Sequence, residues 1–519
     1  MSKSNQKEKE EQTTKEDFVY KYSNRGLGQL RESVIIVDKE YFMKYNQEKG
    51  FVQLEEKILD VTPNLRPPTR EEYPYFPYEF ATITEPQQYL VDALKETPDS
   101  LLAKIKVIVK QFNKINDKTA TLLSTYILGS YFQDRFSTIH YIIVIGANGT
   151  GKSVFGDTFE CLGYRAVNVT NATETFWYRM FGTVEYGQVT IIVEEFDRME
   201  EYSQVMSMLK VGYQPNAKVP RMNNDLTKME FFFPFGFKIM IAEKSPDDDM
   251  ARGVIDRSFK IKSFKGFPDL SIKEVRNPQG NDEMQQHMDA LNHLRKLLLA
   301  YRLVHMKDPY KKITTGLDGR DEELCKPILQ LLVTLNASQE TITEVQDSLQ
   351  YFLDVKNNRK RDSLEGSIFP IVRDMVIDLH NATGETSIST TDIWEKITGS
   401  LGGGVNDKNP NVWYSDGFGR QYRSRVMTTI RDKFGAEKDH KEKGDILIFD
   451  IDNMIKMDKI YQNNGKINTE LADPLTHAED VAGGGYTDNS PESDYSERDS
   501  SDTNTSGDGY CGSVGQDDG

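Results

Sequence analysis

The stretch YIIVIGANGTGKSVF, residues 141–155, carries the reading of the fold: an apolar strand runs into a glycine-rich turn that opens a helix. Within it GANGTGKS, Gly146 to Ser153, has the spacing G-x-x-x-x-G-K-[ST]. Glycines at these positions let the backbone curl until successive N–H groups point inward, and a helix start adds its positive dipole end. Gly146, Ala147, Asn148, Gly149, Thr150, Gly151, Lys152 and Ser153 therefore form a candidate cradle for the phosphates of ATP. Lys152 is expected to reach the β- and γ-phosphates, and the Ser153 hydroxyl to ligate Mg²⁺.

Forty residues downstream, TIIVEEFD at residues 190–197 is an apolar strand tipped with acids. A hydrolysing site needs one carboxylate for the metal shell and one to orient the attacking water. Glu194 is assigned to the metal and Glu195 to the water, with Asp197 a substitute for either. Further apolar runs at Ala166 to Val169, Phe237 to Ile241 and Ser258 to Ile261 alternate with helical or loop segments. Strands alternating with helices predict an α/β fold, a three-layer P-loop NTPase core with a parallel sheet and helices on both faces.

Moving outward, residues 1–16 read as a disordered start and 17–97 as a mixed segment with short strand-like runs such as Ser33 to Val37 and the stretch PPTREEYPYFPYEF at residues 67–80, with no assigned chemistry. The core spans 98–272 with two leading helices, the first capped by Asp99 or Ser100 and the second running from about Lys118 to Phe132. A helical domain is expected over 273–355, then a linker KNNRKRD at 356–362. Residues 363–460 read as three helices and a charged hairpin, with DHKEKGD as the turn before a strand at Ile446 to Phe449; these are the parts of a winged helix-turn-helix. Its third helix, Gln421 to Phe434, carries Arg423, Arg425 and Arg431 as candidate DNA contacts, with Lys433 and Arg420 nearby. An acidic, disordered tail fills 471–519.

The net charge of −17 is concentrated in that tail, where twelve acids face Arg498 alone; the rest of the chain carries about −6 and can still hold a local basic groove. Cys161, Cys325 and Cys511 are far apart, which argues against disulfides or a thiolate zinc site and for a reducing cytoplasm. No apolar run approaches the roughly 20 residues needed to span a bilayer, so no membrane partner is expected.

The order GANGTGKS, IIVEEFD, the basic segment KVGYQPNAKVPRMNN, FKIMIAEK and VIDRSFKI resembles AAA+ ATPases of the superfamily-three helicase type. It is similar too to the primase-associated helicase-like proteins of plasmids, phages and archaeal mobile elements, which GRDEELCKPILQLL at residues 319–332 also resembles. The likeness covers roughly residues 101–335. It implies a homo-oligomeric ring, hexameric by family pattern, that hydrolyses ATP and moves on single-stranded DNA in replication of a mobile element. It also implies that Lys218 and Arg221, with Lys210 behind them, line the channel, and that Arg257, or secondly Arg252, reaches a neighbour's site. The strand end expected to carry Asn or Thr instead offers Glu243 and Lys244. Two other classes stay open: an ATP-switched, sequence-specific DNA-binding regulator, and a remodeller of a protein client.

Overall fold

In the computed structural model of this chain the described residues are 18–471, apart from 25–28, 60, 62, 171–172, 184–188, 199–203, 223–226, 228, 245–247, 362–363, 401–418, 442–443 and 463–466. The expected disordered start and the acidic tail beyond residue 471 lie outside them, as do the side chains of Arg252 and Arg420.

Short runs rich in aromatic and β-branched residues build an N-terminal sheet. Its strands β1 (Ser23–Asn24), β2 (Arg31–Ile36), β3 (Lys39–Asn46) and β4 (Phe51–Glu55) pair antiparallel in that order, and β5 (Glu79–Phe80) joins β2 in parallel. All six residues of β2 are buried, including Arg31, Glu32 and Ser33. A carboxylate taken out of water must be paired and hydrogen-bonded, and Glu32 is. It pairs with Arg165 and, at 2.7 Å, with Arg302 Nε, and it accepts from the Tyr164 hydroxyl at 2.9 Å. Arg302 also holds Asp134 through two bonds, of 2.8 and 2.5 Å. Tyr22, Tyr75 and Tyr164 present ring faces to Arg165 at 4.9–5.9 Å.

The central sheet contains β6 (Tyr141–Ile145), β7 (Ala166–Val169) and β8 (Thr190–Val193); the hairpin β9 (Val219–Met222) and β10 (Met229–Phe232) precedes β11 (Lys238–Ala242) and β12 (Ser258–Lys262). Its order is β12-β6-β11-β8-β7, with every neighbouring pair parallel. Near-continuous apolar strands suit a sheet covered on both faces, and successive residues divide between two cores. Ile142, Val144, Ile192 and Ile241 join one with α1 (Pro98–Phe112), α2 (Asp117–Ser130), α3 (Lys152–Leu162), α4 (Asp282–His305), α5 (Gly319–Thr334) and α6 (Gln339–Arg361). Tyr141, Ile143, Ile191 and Met240 join the other with Trp177, Met208 and Val254.

Three expectations are corrected. The cap of α1 is Thr97, whose side chain accepts from Ser100 N, with Pro98 in the first turn; Asp99 instead accepts from Ser338 N at 3.0 Å. Residues 356–361 are not a linker, because α6 continues through them: lysine and arginine are good helix formers, and Lys356 is tied to Asp321 at 3.0 Å. The segment Glu437–Lys441, partly read as turn, is a strand.

That strand, β14, follows α7 (Leu364–Thr383), β13 (Ser387–Ser389), α8 (Thr390–Ser400) and α9 (Gly419–Phe434), and pairs with β15 (Gly444–Ile448) in a sheet of order β13-β15-β14. Phe369, Val372, Trp394, Val426, Ile430 and Leu447 fill a core of their own beneath it. No described helix is long and apolar enough to cross a membrane.

Removing Glu32 would take a carboxylate from two guanidinium groups that have no access to solvent, leaving Arg302 to Asp134. Glu32→Ala is expected to destabilise the chain by about 3–5 kcal/mol, read as a lowered urea midpoint, whereas a change at the exposed Glu56 should leave the midpoint within experimental error.

Candidate functional site

The turn after β6 needs its glycines. Gly149 and Gly151 both sit at φ 80°, in the left-handed region. At Gly146 an added Cβ would lie 2.9 Å from the Ser263 carbonyl oxygen, where the chain after β12 crosses over the turn. Ser263 pins it there, donating from N to Ile145 O at 2.7 Å and from Oγ to Thr150 O at 2.9 Å. Lys152 and Ser153 open α3, so their amides have no intrahelical acceptor. The Lys152 ammonium donates to Asn148 Oδ1 at 3.1 Å, and Asn148 Nδ2 in turn reaches Glu243 Oε1 at 3.4 Å.

Glu194 stands at the tip of β8, separated from β6 by β11. An added Cβ on Gly156 would lie 3.1 Å from Glu194 Oε1 and 2.8 Å from Ile241 Cδ1, so α3 runs close over both strands. Lys152 and Ser153 share a helix face with Gly156, four and three residues away. Burial pushes the Glu194 carboxyl above the usual glutamate range; Asp157 and Glu195 add to the rise, while Asn168 and Lys152 oppose it. Glu195 adopts φ 54° and meets Arg198 at 3.0 Å. Asp197 is otherwise engaged: its carboxylate accepts from Glu243 N at 3.1 Å and Lys244 N at 3.3 Å, fixing the tip of β11. A glycine turn, a helix start, a lysine and a half-buried carboxylate are groups that can hold a polyphosphate with a divalent cation.

Behind Thr150 and Gly151 a cavity of about 530 Å³ opens, walled by Val154, Phe112 and, from α6, Tyr351 and Phe352. Its apolar and aromatic wall can take a flat ring. Gly156 and this cavity were not picked out from the sequence, although a glycine inside the helix-forming run KSVFGDTFECL is a signal of close approach.

Arg257 does not join the site within one chain. It directly precedes β12, whose first residue pairs with Tyr141, the first of β6, at the sheet edge opposite the glycine turn. Its guanidinium lies 4.0 Å over the Tyr213 ring and donates to Gly253 O.

The basic segment folds as the β9–β10 hairpin. Val219, Arg221, Glu230 and Phe232 share its inner face, where Arg221 stacks 4.3 Å from the Tyr178 ring. The outer face carries Pro220, Met222, Met229 and Phe231, all exposed, with Phe231 at 50%. Lys218 is exposed as well, with its ammonium 5.9 Å from the Phe231 ring and 5.7 Å from Phe233. The apolar outer face is signalled in the sequence only by the alternation in VPRM and MEFF, beside charges that draw attention to the other face. Lys238 fixes the hairpin's base. Its buried ammonium donates to Gly212 O, Pro234 O and Gly236 O at 3.1, 2.6 and 2.9 Å. Burial pushes its pKa down to about 7, while three carbonyl acceptors favour the charged form.

On α9 the arginines differ. Val426, Ile430 and Phe434 face inward. Arg423 lies half-buried, 6.0 Å from the Trp394 ring, and Arg431, also half-buried, donates to Thr428 Oγ1 at 3.2 Å. Arg425 and Lys433 are exposed beside a shallow groove.

No protein-family model matches this chain, and no curated protein sequence does. Among solved structures it is similar to two A-form apo structures of the NrS-1 C-terminal region, each at TM-score 0.30 and 14% identity over 81% of this chain and 96% of the other. A likeness at that TM-score carries no conclusion about this chain.

Replacing Lys238 by methionine leaves three carbonyls without their donor. Lys238→Met is expected to cost about 1–3 kcal/mol of stability and to speed amide hydrogen exchange selectively across residues 212–236; uniform exchange along the chain would contradict the anchoring role.

Proposed function

We propose that the chain is an ATP-hydrolysing enzyme whose turnover drives movement along, or unwinding of, DNA, acting as a homo-oligomeric ring in replication of a mobile element. The proposed fold is an AAA+-like P-loop core followed by a winged helix. The reading is carried by one observation: the helix that begins with Lys152 and Ser153 lies against the strand that ends in Glu194, with only Gly156 between them. ATP would seat its phosphates on the amides of Gly149 to Ser153 and its base in the cavity behind Gly151.

The Ser153 hydroxyl and Glu194 carboxylate are hard oxygen donors and fit Mg²⁺. Bound there, the ion would neutralise charge on the β- and γ-phosphates. Lys152 would leave Asn148 for the γ-phosphate, and Asn148, released, could turn with Glu243 toward the attacking water. Glu195 would orient that water once its contact with Arg198 opens. Arg257 would serve only from a neighbouring subunit, after giving up Tyr213.

DNA contact is assigned to the β9–β10 hairpin. Lys218 would meet phosphate, while Phe231 and the two methionines offer a face on which bases stack without regard to sequence. Arg221, held on Tyr178, would stiffen the hairpin and contribute a more distant charge. Arg425 is the strongest candidate on α9, with Arg423 and Arg431 turned toward the module.

Lys152→Ala is expected to lower ATP turnover roughly 10²–10³-fold. Single-stranded DNA should stimulate the parent enzyme. Phe231→Ala should keep the unstimulated rate while weakening DNA binding by about 1–3 kcal/mol. Absence of stimulation in an assembled sample would rule out translocation. The raised Glu194 pKa gives a pH signature with a definite sign: the metal-binding carboxylate is lost as pH falls, and lost earlier than an ordinary glutamate would be. The apparent Mg²⁺ requirement should therefore rise on mild acidification, above the ordinary carboxylate range.

A further inference from the structure

The proline- and tyrosine-rich stretch at residues 67–80 has no part in that function, yet it builds a second cavity. About 240 Å³ lies between Phe76–Glu79 and α4, where Met288, Asn292, Arg295 and Lys296 form the opposite wall. Arg295 is only 5% exposed. Its guanidinium lies 4.9 Å from the Tyr78 ring and donates through Nη2 to Phe76 O at 2.6 Å, but its buried Nε has no acceptor and no described carboxylate pairs with it. Among the described residues the other arginines buried at this level, Arg31, Arg165 and Arg302, all have carboxylate partners.

The remaining wall also favours negative charge. Lys296 contributes an ammonium, shared with Glu85 at 2.9 Å. Asn292, half-buried, offers an amide with no hydrogen-bond partner among the described residues. The one carboxylate on the wall, Glu79, is engaged by Arg70. A guanidinium out of water without a counter-charge is unfavourable, and a planar fork of donors matches a tetrahedral or planar oxyanion.

We propose that this cavity binds a compact oxyanion of the phosphate class, held by Arg295 and Asn292 with Lys296 adding charge. The site is separate from the glycine turn, and occupancy would tie the residue 67–80 segment to α4. It does not depend on the ATPase reading.

The test uses the full chain carrying Lys152→Ala, so that the glycine turn contributes little phosphate binding. Calorimetric titration with inorganic phosphate, against chloride at matched ionic strength, should give saturable binding to one site. Arg295→Met should weaken it at least tenfold. Asn292→Asp places a carboxylate beside the guanidinium, so it should weaken binding to the same degree while melting at or above the parent temperature, which keeps the test decisive if Arg295→Met folds poorly. Glycerol phosphate binding equally well would identify a phosphate ester as ligand, and failure of glycerol phosphate alone would identify the free ion. Absence of saturable phosphate binding, phosphate binding untouched by Asn292→Asp, or equal binding of acetate would overturn the proposal.

Discussion

A helix can lie this close to a sheet only where its contact residue lacks a side chain. At Gly156 the space that a Cβ would need is already shared by Ile241, Ile192 and the Glu194 carboxylate. That one missing atom sets the height of α3 above β8 and β11, and with it the distance from Lys152 and Ser153 to the acid at the strand tip. The turn before it is fixed from the other side, by Ser263 bonding across to Ile145 and Thr150. The chemistry is therefore positioned by backbone and by the close approach of elements, with few side chains acting as scaffolding.

The same logic governs the polar residues around it. Asp197 closes the tip of β11 onto the end of β8 by accepting from two backbone amides. Lys238 does for the hairpin what a bound cation would do, collecting three carbonyls from two chain segments. The buried Asp134, Lys238 and Glu32 each have specific partners, and such matches decide which charged residues remain for function.

Much of the central sheet was legible because its strands are largely buried on both faces and read as near-continuous apolar runs, as in β6, β7 and β8. The glycine turn was legible for a related reason, since its spacing is dictated by backbone geometry. Of the N-terminal sheet only the strand-like run Ser33 to Val37 was legible, and it overlaps β2. In β2 the residues Arg31, Glu32 and Ser33 look like a solvated face, and the partners that bury Glu32 lie 133 and 270 residues away. Residues 356–361 misled in the opposite sense, because a run of Lys, Asn and Arg suits an exposed helix as well as a loop. The inward arginines of α9 and the apolar side of the hairpin were hidden because composition does not reveal which face a residue occupies.

The reach of Glu32 has a consequence for how the chain comes into being. Its carboxylate leaves the ribosome well before Arg302, and at about 5–20 residues per second the interval of 270 residues lasts roughly 15–50 s. Until Arg165 emerges β2 carries an unpaired acid in a strand destined for the interior, and until Arg302 follows that acid has only one of its two guanidinium partners. Completion of this sheet's packing thereby depends on α4, which is synthesised long after β2.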